Sequence, residues 1–169
     1  LPVTDELTGD ETRILKGFRP VPVFAHDDTV GQPLPDYDYI PRELPPLTDV
    51  AERMGVQVTY MPLPDDRLGD CKVDGAQVRL GTHDPSVFFH ELAHAAHKHI
   101  DGQLKGGQDT HQETVAEFTA AVLMELYGIR DHTGNAWDYI RSYAQDPLVA
   151  ITKALATVEK VLNLLLTTE

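Results

Sequence analysis

The sequence has few of the residues that several common classes of protein need. Its 169 residues include one cysteine, and 14 Lys and Arg stand against 27 Asp and Glu, which gives a formal net charge of −13 at pH 7. A single cysteine excludes an intramolecular disulfide and every cysteine-rich zinc ribbon or finger. The acidic surface repels phosphate, so we expect no direct binding of nucleic acid by this segment.

Long apolar runs are also scarce. The longest run near the C-terminus, 161–166, is interrupted by Asn163 and is too short to cross a bilayer, so we expect no membrane partner. No basic and then apolar leader opens the sequence, and a lone cysteine suits a reducing compartment, so we expect a cytoplasmic protein. The length predicts one domain, which we expect to be a monomer. Because the sequence does not begin with Met, we expect it to be part of a longer chain.

Proline distribution separates an N-terminal arm from a folded part. Prolines are frequent up to position 46, where they remove backbone donors, so residues 1–46 are predicted to form an extended arm. Within this arm, Val21–Ala25 has the composition of an edge strand. Residues 47–169 are predicted to form the main domain.

Strand patterns precede helix patterns in this domain. A short helix near Leu47–Met54, with Thr48 as N-cap, is followed by a β-branched strand over Val56–Tyr60 and a hairpin over Cys71–Leu80 with a type I′ turn at Asp74–Gly75. Four helices follow, predicted to start near Asp84, Asp109, Gly134 and Asp146. This order predicts an α+β fold, in which a small sheet containing antiparallel strands precedes a helical half.

The first of these four helices carries the motif His90-Glu91-Leu92-Ala93-His94. Two histidines four residues apart leave a helix about 40° apart, so both imidazoles can reach one tetrahedral ion. Glu91 is offset by about 100° and can act as general base towards a water on that ion. This HExxH pattern predicts a Zn²⁺ site with Glu91 as the catalytic residue.

A third ligand is expected from the next helix. Glu113 lies in its first turn, and Glu117 follows four residues later on the same face. We interpret Glu113 as the third metal ligand and Glu117 as an acceptor that orients a ligand histidine. Apolar residues at 115, 118, 122 and 126 predict the core-facing stripe of this helix.

The remaining histidines and tyrosines give weaker patterns. His97 returns to the face of His90 and either lines the cleft or serves as an alternative ligand, and His111 is near enough in sequence to Glu113 to reach the cleft. Tyr60 and Tyr127 are candidate oxyanion donors. Three further histidines have no spacing that predicts a role: His26, His83 and His132.

Three segments together resemble the zincin-like metallopeptidase domain of ArdC-type antirestriction proteins. These are Phe89–Ala95, Glu113–Phe118 and Ala136–Ile140, and the resemblance extends over Leu80–Leu165. It also follows the gluzincin pattern, in which the third ligand is a glutamate. The resemblance implies a zincin-like fold, joined in complete proteins of this family to a domain that binds single-stranded DNA. This segment is then part of a longer DNA-binding protein.

The motifs and the resemblance predict a zinc metallopeptidase that hydrolyses peptide bonds in a protein or peptide substrate. Two alternatives stay open at this point. One is a non-proteolytic antirestriction or partner-binding module with a structural metal. The other is a cytosolic regulator protease that cleaves a specific repressor.

Overall fold

The computed structural model describes residues 2–4, 11–13, 22, 28, 30–31, 39–107, 109–129 and 133–167. The chain divides into two compact units, Leu1–Asp36 and Tyr37–Glu169. The second unit therefore begins before position 47, where the sequence places the start of the main domain. One contact that attaches this earlier stretch is the hydrogen bond, 2.7 Å long, between His83 Nε2 and the Tyr39 carbonyl.

The first unit contains a short ladder where the sequence predicts only an extended arm. Strands β1 (Pro2–Thr4) and β2 (Glu11–Arg13) pair antiparallel, with Val3 opposite Thr12. The β-branched residues in both segments favour this pairing. The predicted edge strand Val21–Ala25 lies outside the described residues, apart from Pro22, which belongs to no regular element.

The second unit has the predicted α+β class, in which one short helix and three strands precede four longer helices. Its elements, in chain order, are α1 (Thr48–Arg53), β3 (Gln57–Tyr60), a 3-10 turn (Pro64–Asp66), β4 (Gly69–Cys71), β5 (Gln77–Leu80), α2 (Pro85–Asp101), α3 (Thr110–Leu126), α4 (Thr133–Tyr143) and α5 (Pro147–Leu166). Among the described residues, no helix is both long and apolar enough to span a membrane.

The three strands of this unit form a mixed sheet in the order β3-β5-β4. Strand β5 pairs in parallel with β3 and antiparallel with β4, where Cys71 lies opposite Val78. The predicted hairpin is therefore confirmed, but its turn is not type I′. That turn needs positive φ at two residues, and of Asp74 and Gly75 only Gly75 has it, at 71°.

Helix starts depend on side-chain caps. Asp84 and Asp146 accept hydrogen bonds from the first turns of α2 and α5, each with a proline at the next position, as predicted. The expected cap at Thr48 is wrong. Leu47 is the N-cap of α1, and the Thr48 hydroxyl donates to the Pro45 carbonyl over 2.7 Å instead of accepting from the helix.

Helix α2 is central to the core. It packs against α3, α5 and the sheet, and its Phe88, Phe89 and Leu92 are fully buried. The predicted stripe on α3 is wrong at its C-terminal end, because Leu126 is 61% exposed while Leu123 and Met124 are buried. The buried face of α3 also includes polar residues near the cleft, so apolar spacing alone does not define it.

We expect Asp84→Ala to lower the free energy of unfolding by about 1 kcal/mol, because the Asp84 carboxylate accepts from the Ser86 backbone N–H at the start of α2. Urea denaturation followed by circular dichroism measures the change. Asp49→Ala is the matched control, since Asp49 makes only an exposed 3.4 Å ion pair with Arg53, and its expected effect is under about 0.5 kcal/mol. Equal losses in the two variants would contradict the importance of the cap.

Candidate metal centre

Helices α2 and α3 bring three potential ligands together. His90 and His94 leave the same face of α2, and Glu113 lies in the first turn of α3, which packs against it. The distance between the two Nε2 atoms is 3.2 Å. His90 Nε2 is 3.5 Å from Glu113 Oε2, and His94 Nε2 is 3.7 Å from Glu113 Oε1. The structure thus assembles the three residues proposed from the sequence as ligands.

The spacing of these atoms suits a small metal ion. Bonds of about 2.0–2.2 Å in a tetrahedral site separate neighbouring ligand atoms by about 3.3–3.6 Å, close to the three observed distances. Two neutral imidazole nitrogens at 3.2 Å can share only one proton, whereas a cation between them satisfies both lone pairs. The His-His-Glu group can therefore hold a metal ion.

Two further side chains orient the potential ligands. His90 Nδ1 donates to Glu117 Oε2 over 3.0 Å. This leaves Nε2 directed at the ligand triangle, the group formed by His90 Nε2, His94 Nε2 and the Glu113 carboxylate. The Tyr139 hydroxyl on α4 donates to Glu113 Oε2 over 3.3 Å. The contact of Glu117 matches the role proposed for it, because a carboxylate on the outer nitrogen fixes the tautomer of a ligand histidine.

Protonation of the triangle follows from its neighbours. Burial lowers the pKa of His90, but hydrogen bonds to Glu113 and Glu117 outweigh it and raise the pKa to about 10. Burial and the charge of His90 lower the pKa of His94 to about 4. Burial raises the pKa of Glu113, yet the contacts with His90 and His94 bring it below its ordinary value. The proton on His90 therefore balances part of the negative charge of the carboxylates, at the position where a metal cation would also balance it.

Glu91 lies beside the triangle and is only 8% exposed. Burial raises the pKa of its carboxyl to about 7, although the charge of His90 and a hydrogen bond from the Cys71 backbone N–H oppose this shift. A carboxyl that titrates near neutrality is suited to accept a proton from water. Burial also raises the pKa of the Cys71 thiol to about 12, so the thiol is protonated at pH 7 and is not a nucleophile there.

Two cavities open next to this group. One, of about 380 Å³, lies between β4 and the loop before α3, and its lining includes His90, His94, Glu91, Glu113 and Tyr139. The other, of about 500 Å³, lies between α2, α3 and α4 and also touches His90 and Glu91. The candidate metal centre is therefore accessible from both sides of His90.

The other candidate histidines lie elsewhere. His97 is buried, and its Nε2 contacts Asp101 Oδ2 at 3.0 Å. The ring of His111 is exposed and lies 6.0 Å from the ring of His97. Neither residue lines the two cavities beside the triangle. Of the histidines without a predicted role, His83 contacts Tyr39, and the other two, His26 and His132, lie outside the described residues.

The tyrosine at the centre is not one of the two proposed from the sequence. Tyr60 packs against the ring of His83 at 5.9 Å, and Tyr127 stacks on Phe89 at 5.8 Å, away from the triangle. Tyr139 is instead the tyrosine that contacts a potential ligand, because its hydroxyl donates to Glu113. Its helix is part of the family resemblance, but no spacing within one helix relates Tyr139 to Glu113, because the two lie on different helices.

Gln112 is a second residue near the centre that the sequence patterns do not predict. Its side-chain oxygen accepts from the Lys105 N–H over 3.0 Å, and its amide nitrogen donates to the Lys105 carbonyl over 3.4 Å. This pair of bonds attaches the loop between α2 and α3 to α3 directly before Glu113. In the sequence, the only signal for Gln112 is its position directly before the potential ligand Glu113.

No family model matches the chain, and no curated protein matches it. Among solved structures, the chain is similar to the crystal structure of the metal-free antirestriction protein ArdC from plasmid R388, with 21% sequence identity and a TM-score of 0.39. The match covers 97% of this chain and 66% of that one, so the chain spans about two thirds of the length of that protein.

We expect the purified protein to bind about one equivalent of zinc and His94→Ala to bind none, because two remaining ligands do not hold the ion. Inductively coupled plasma mass spectrometry after dialysis measures the stoichiometry. His99→Ala, on the exposed side of the same helix, is the control that should keep the metal. A wild-type protein that stays metal-free in micromolar zinc would contradict the site.

Glu117→Gln is expected to weaken zinc affinity by about 10–100-fold, since it removes the charge that orients His90 while preserving side-chain size. Competition with a chromophoric chelator measures the dissociation constant. The control is Glu125→Gln, which changes an exposed glutamate on the same helix. Unchanged affinity in Glu117→Gln would show that its contact with His90 does not affect the metal.

Proposed function

We propose that this chain is a zinc-dependent metallopeptidase domain in which His90, His94 and Glu113 bind the ion and Glu91 is the general base. The observation that carries the proposal is the triangle of ligand atoms, 3.2–3.7 Å apart, at a cleft wall that also contains the buried carboxyl of Glu91. Catalytic zinc sites combine three protein ligands with an open position, whereas structural sites are closed by a fourth. The cavities on both sides of His90 therefore favour catalysis over a structural role.

Zinc at this position would supply a Lewis acid that polarises a peptide carbonyl and acidifies water. The protein supplies the remaining functions. Glu91 accepts the proton of the attacking water and passes it to the leaving amine, which suits a carboxyl with a pKa near 7. Glu117 and Tyr139 hold His90 and Glu113 in fixed orientations through one hydrogen bond each.

The cleft favours a peptide with an apolar side chain next to the cleaved bond. The larger of these two cavities has an apolar lining that includes Leu68, Val87, Met124 and three alanines, at 120, 121 and 136. His90 and Glu91 line the same cavity, so a side chain buried in it would be adjacent to the reacting bond. The net charge of −13 argues against a nucleic acid as the substrate.

Glu91→Gln is expected to keep about one equivalent of zinc and to lower kcat by about 10²–10⁴-fold, because the ligands are intact and only the proton acceptor is lost. Cleavage of a quenched-fluorescent peptide library by the zinc-loaded protein measures the rate. Glu125→Gln serves again as the control that retains activity. Full activity in Glu91→Gln, or no hydrolysis by the zinc-loaded wild type, would contradict the proposal and favour a binding module with a structural metal.

A further inference from the structure

We propose that the smaller of the two cavities at the candidate metal centre is a subsite for a peptide carboxylate, with Arg67 and Lys105 as its specificity-determining residues. This inference rests on the proposed function, because it names the chemistry of a substrate for the same cleft. Such a substrate carries an acidic group on one side of the cleaved bond and an apolar side chain on the other. Its binding can be measured without hydrolysis.

The charged residues that line the cavity of about 380 Å³ differ in exposure according to their sign. Arg67 and Lys105 are exposed. The carboxylates among the described lining residues belong to side chains that are half-buried or buried: Asp70, Glu91 and Glu113. Exposed side chains lie where a cavity opens to solvent, so this opening is cationic and the interior is acidic. The larger cavity differs, because no Lys or Arg is among the described residues that line it.

Arg67 has hydrogen-bond donors left for a ligand. Of its five N–H groups, the described part of the chain uses those on Nε and Nη1, which donate to the Pro64 carbonyl and to Asp70. Asp70 does not depend on this bond, because Arg79 donates to both of its oxygens over 2.7 and 2.6 Å. The charge of Arg67 is therefore in excess at its edge of the cavity, and a ligand carboxylate would compensate it.

Lys105 is fixed in the loop between α2 and α3. Its backbone N–H donates to Gln112 Oε1 over 3.0 Å, and its carbonyl accepts from Gln112 Nε2 over 3.4 Å. Its ammonium donates to Asp109 Oδ2 over 2.7 Å, which uses one of three donors. The bonds to Gln112 involve only the backbone of Lys105, so replacing the lysine side chain leaves the loop attached to α3.

The net charge of −13 does not prevent such binding. Repulsion between exposed charges is screened over about 10 Å at 0.1 M ionic strength, so the cations at the cavity outweigh distant carboxylates. Exposed ion pairs are individually weak, and two of them together give a preference of about fivefold. We expect this preference to decrease as salt is added.

The test compares end-blocked peptides that contain one leucine and one glutamate with counterparts in which glutamine replaces the glutamate. The two residues are varied in order and spacing, so that one arrangement reaches both cavities. In that arrangement we expect the metal-free protein to bind the glutamate peptide about fivefold more tightly, measured by NMR titration. We expect the zinc-loaded protein to cleave it with kcat/KM raised by about the same factor. Tighter binding of glutamine peptides with a free C-terminus would identify the terminal carboxylate as the ligand of the same subsite.

Arg67→Ala with Lys105→Ala should abolish the preference and keep both the zinc stoichiometry and the affinity for glutamine peptides. Arg53→Ala with Lys160→Ala is the matched control, since it removes the same charges from exposed positions outside both cavities. Arg67→Lys with Lys105→Arg should retain most of the preference, because it keeps both charges.

No binding of either peptide, equal affinity for peptides with and without a carboxylate, or the same loss in the control variant would overturn the inference. Cleavage of both peptides at equal rates would then leave the proposed function standing. Preferential binding of the carboxylate peptide without any hydrolysis by the zinc-loaded protein would support the subsite and reject the proposed function.

Discussion

The contact between helices α2 and α3 is the constraint on which the rest of the candidate centre depends. It places two imidazole nitrogens and a carboxylate from separate parts of the chain at 3.2–3.7 Å, although each of these groups alone is costly to bury. The cost is offset because each group faces an opposite charge or a hydrogen-bond partner. His90 lies between Glu113 and Glu117, and Glu113 also accepts from Tyr139. The centre is therefore a single network, and removing one member leaves another buried group without compensation.

The same network favours a cation at the centre. The buried Glu91 and Glu113 and the half-buried Glu117 concentrate negative charge here, while His90 with its raised pKa provides a single compensating proton. A divalent ion supplies twice that charge and removes the need for the proton, so metal binding and proton release are coupled. Some of the acidic residues behind the overall charge of −13 are thus gathered at one buried centre and not spread over the surface.

Much of the fold and the ligand pair on α2 are predictable from the sequence because they depend on local geometry. The spacing of His90 and His94 fixes their shared face, and Asp84 followed by proline fixes the start of their helix. Contacts between side chains on different helices are not predictable in this way. The position of Tyr139 on Glu113 depends on how α4 packs against α3, and no periodicity within one helix encodes that distance. The predicted apolar stripe on α3 is wrong at Leu126, and the buried face of this helix includes Gln112 and Glu113 besides apolar residues, so apolar spacing alone does not define that face.

Strand β4 shows how far a short edge strand can determine such a centre. Its residues alternate between faces, so Gly69, where a Cβ would lie 2.6 Å from Val87 Cγ1 of α2, shares the inner face with Cys71, and Asp70 points to the other face. There Asp70 accepts two hydrogen bonds from Arg79, of 2.7 and 2.6 Å, and a third from Arg67 of 3.2 Å. A slip of one residue would turn Asp70 towards Glu91 and place a second carboxylate against a buried one. The pair formed by Arg79 and Asp70 therefore stabilises the register that keeps Gly69 against α2.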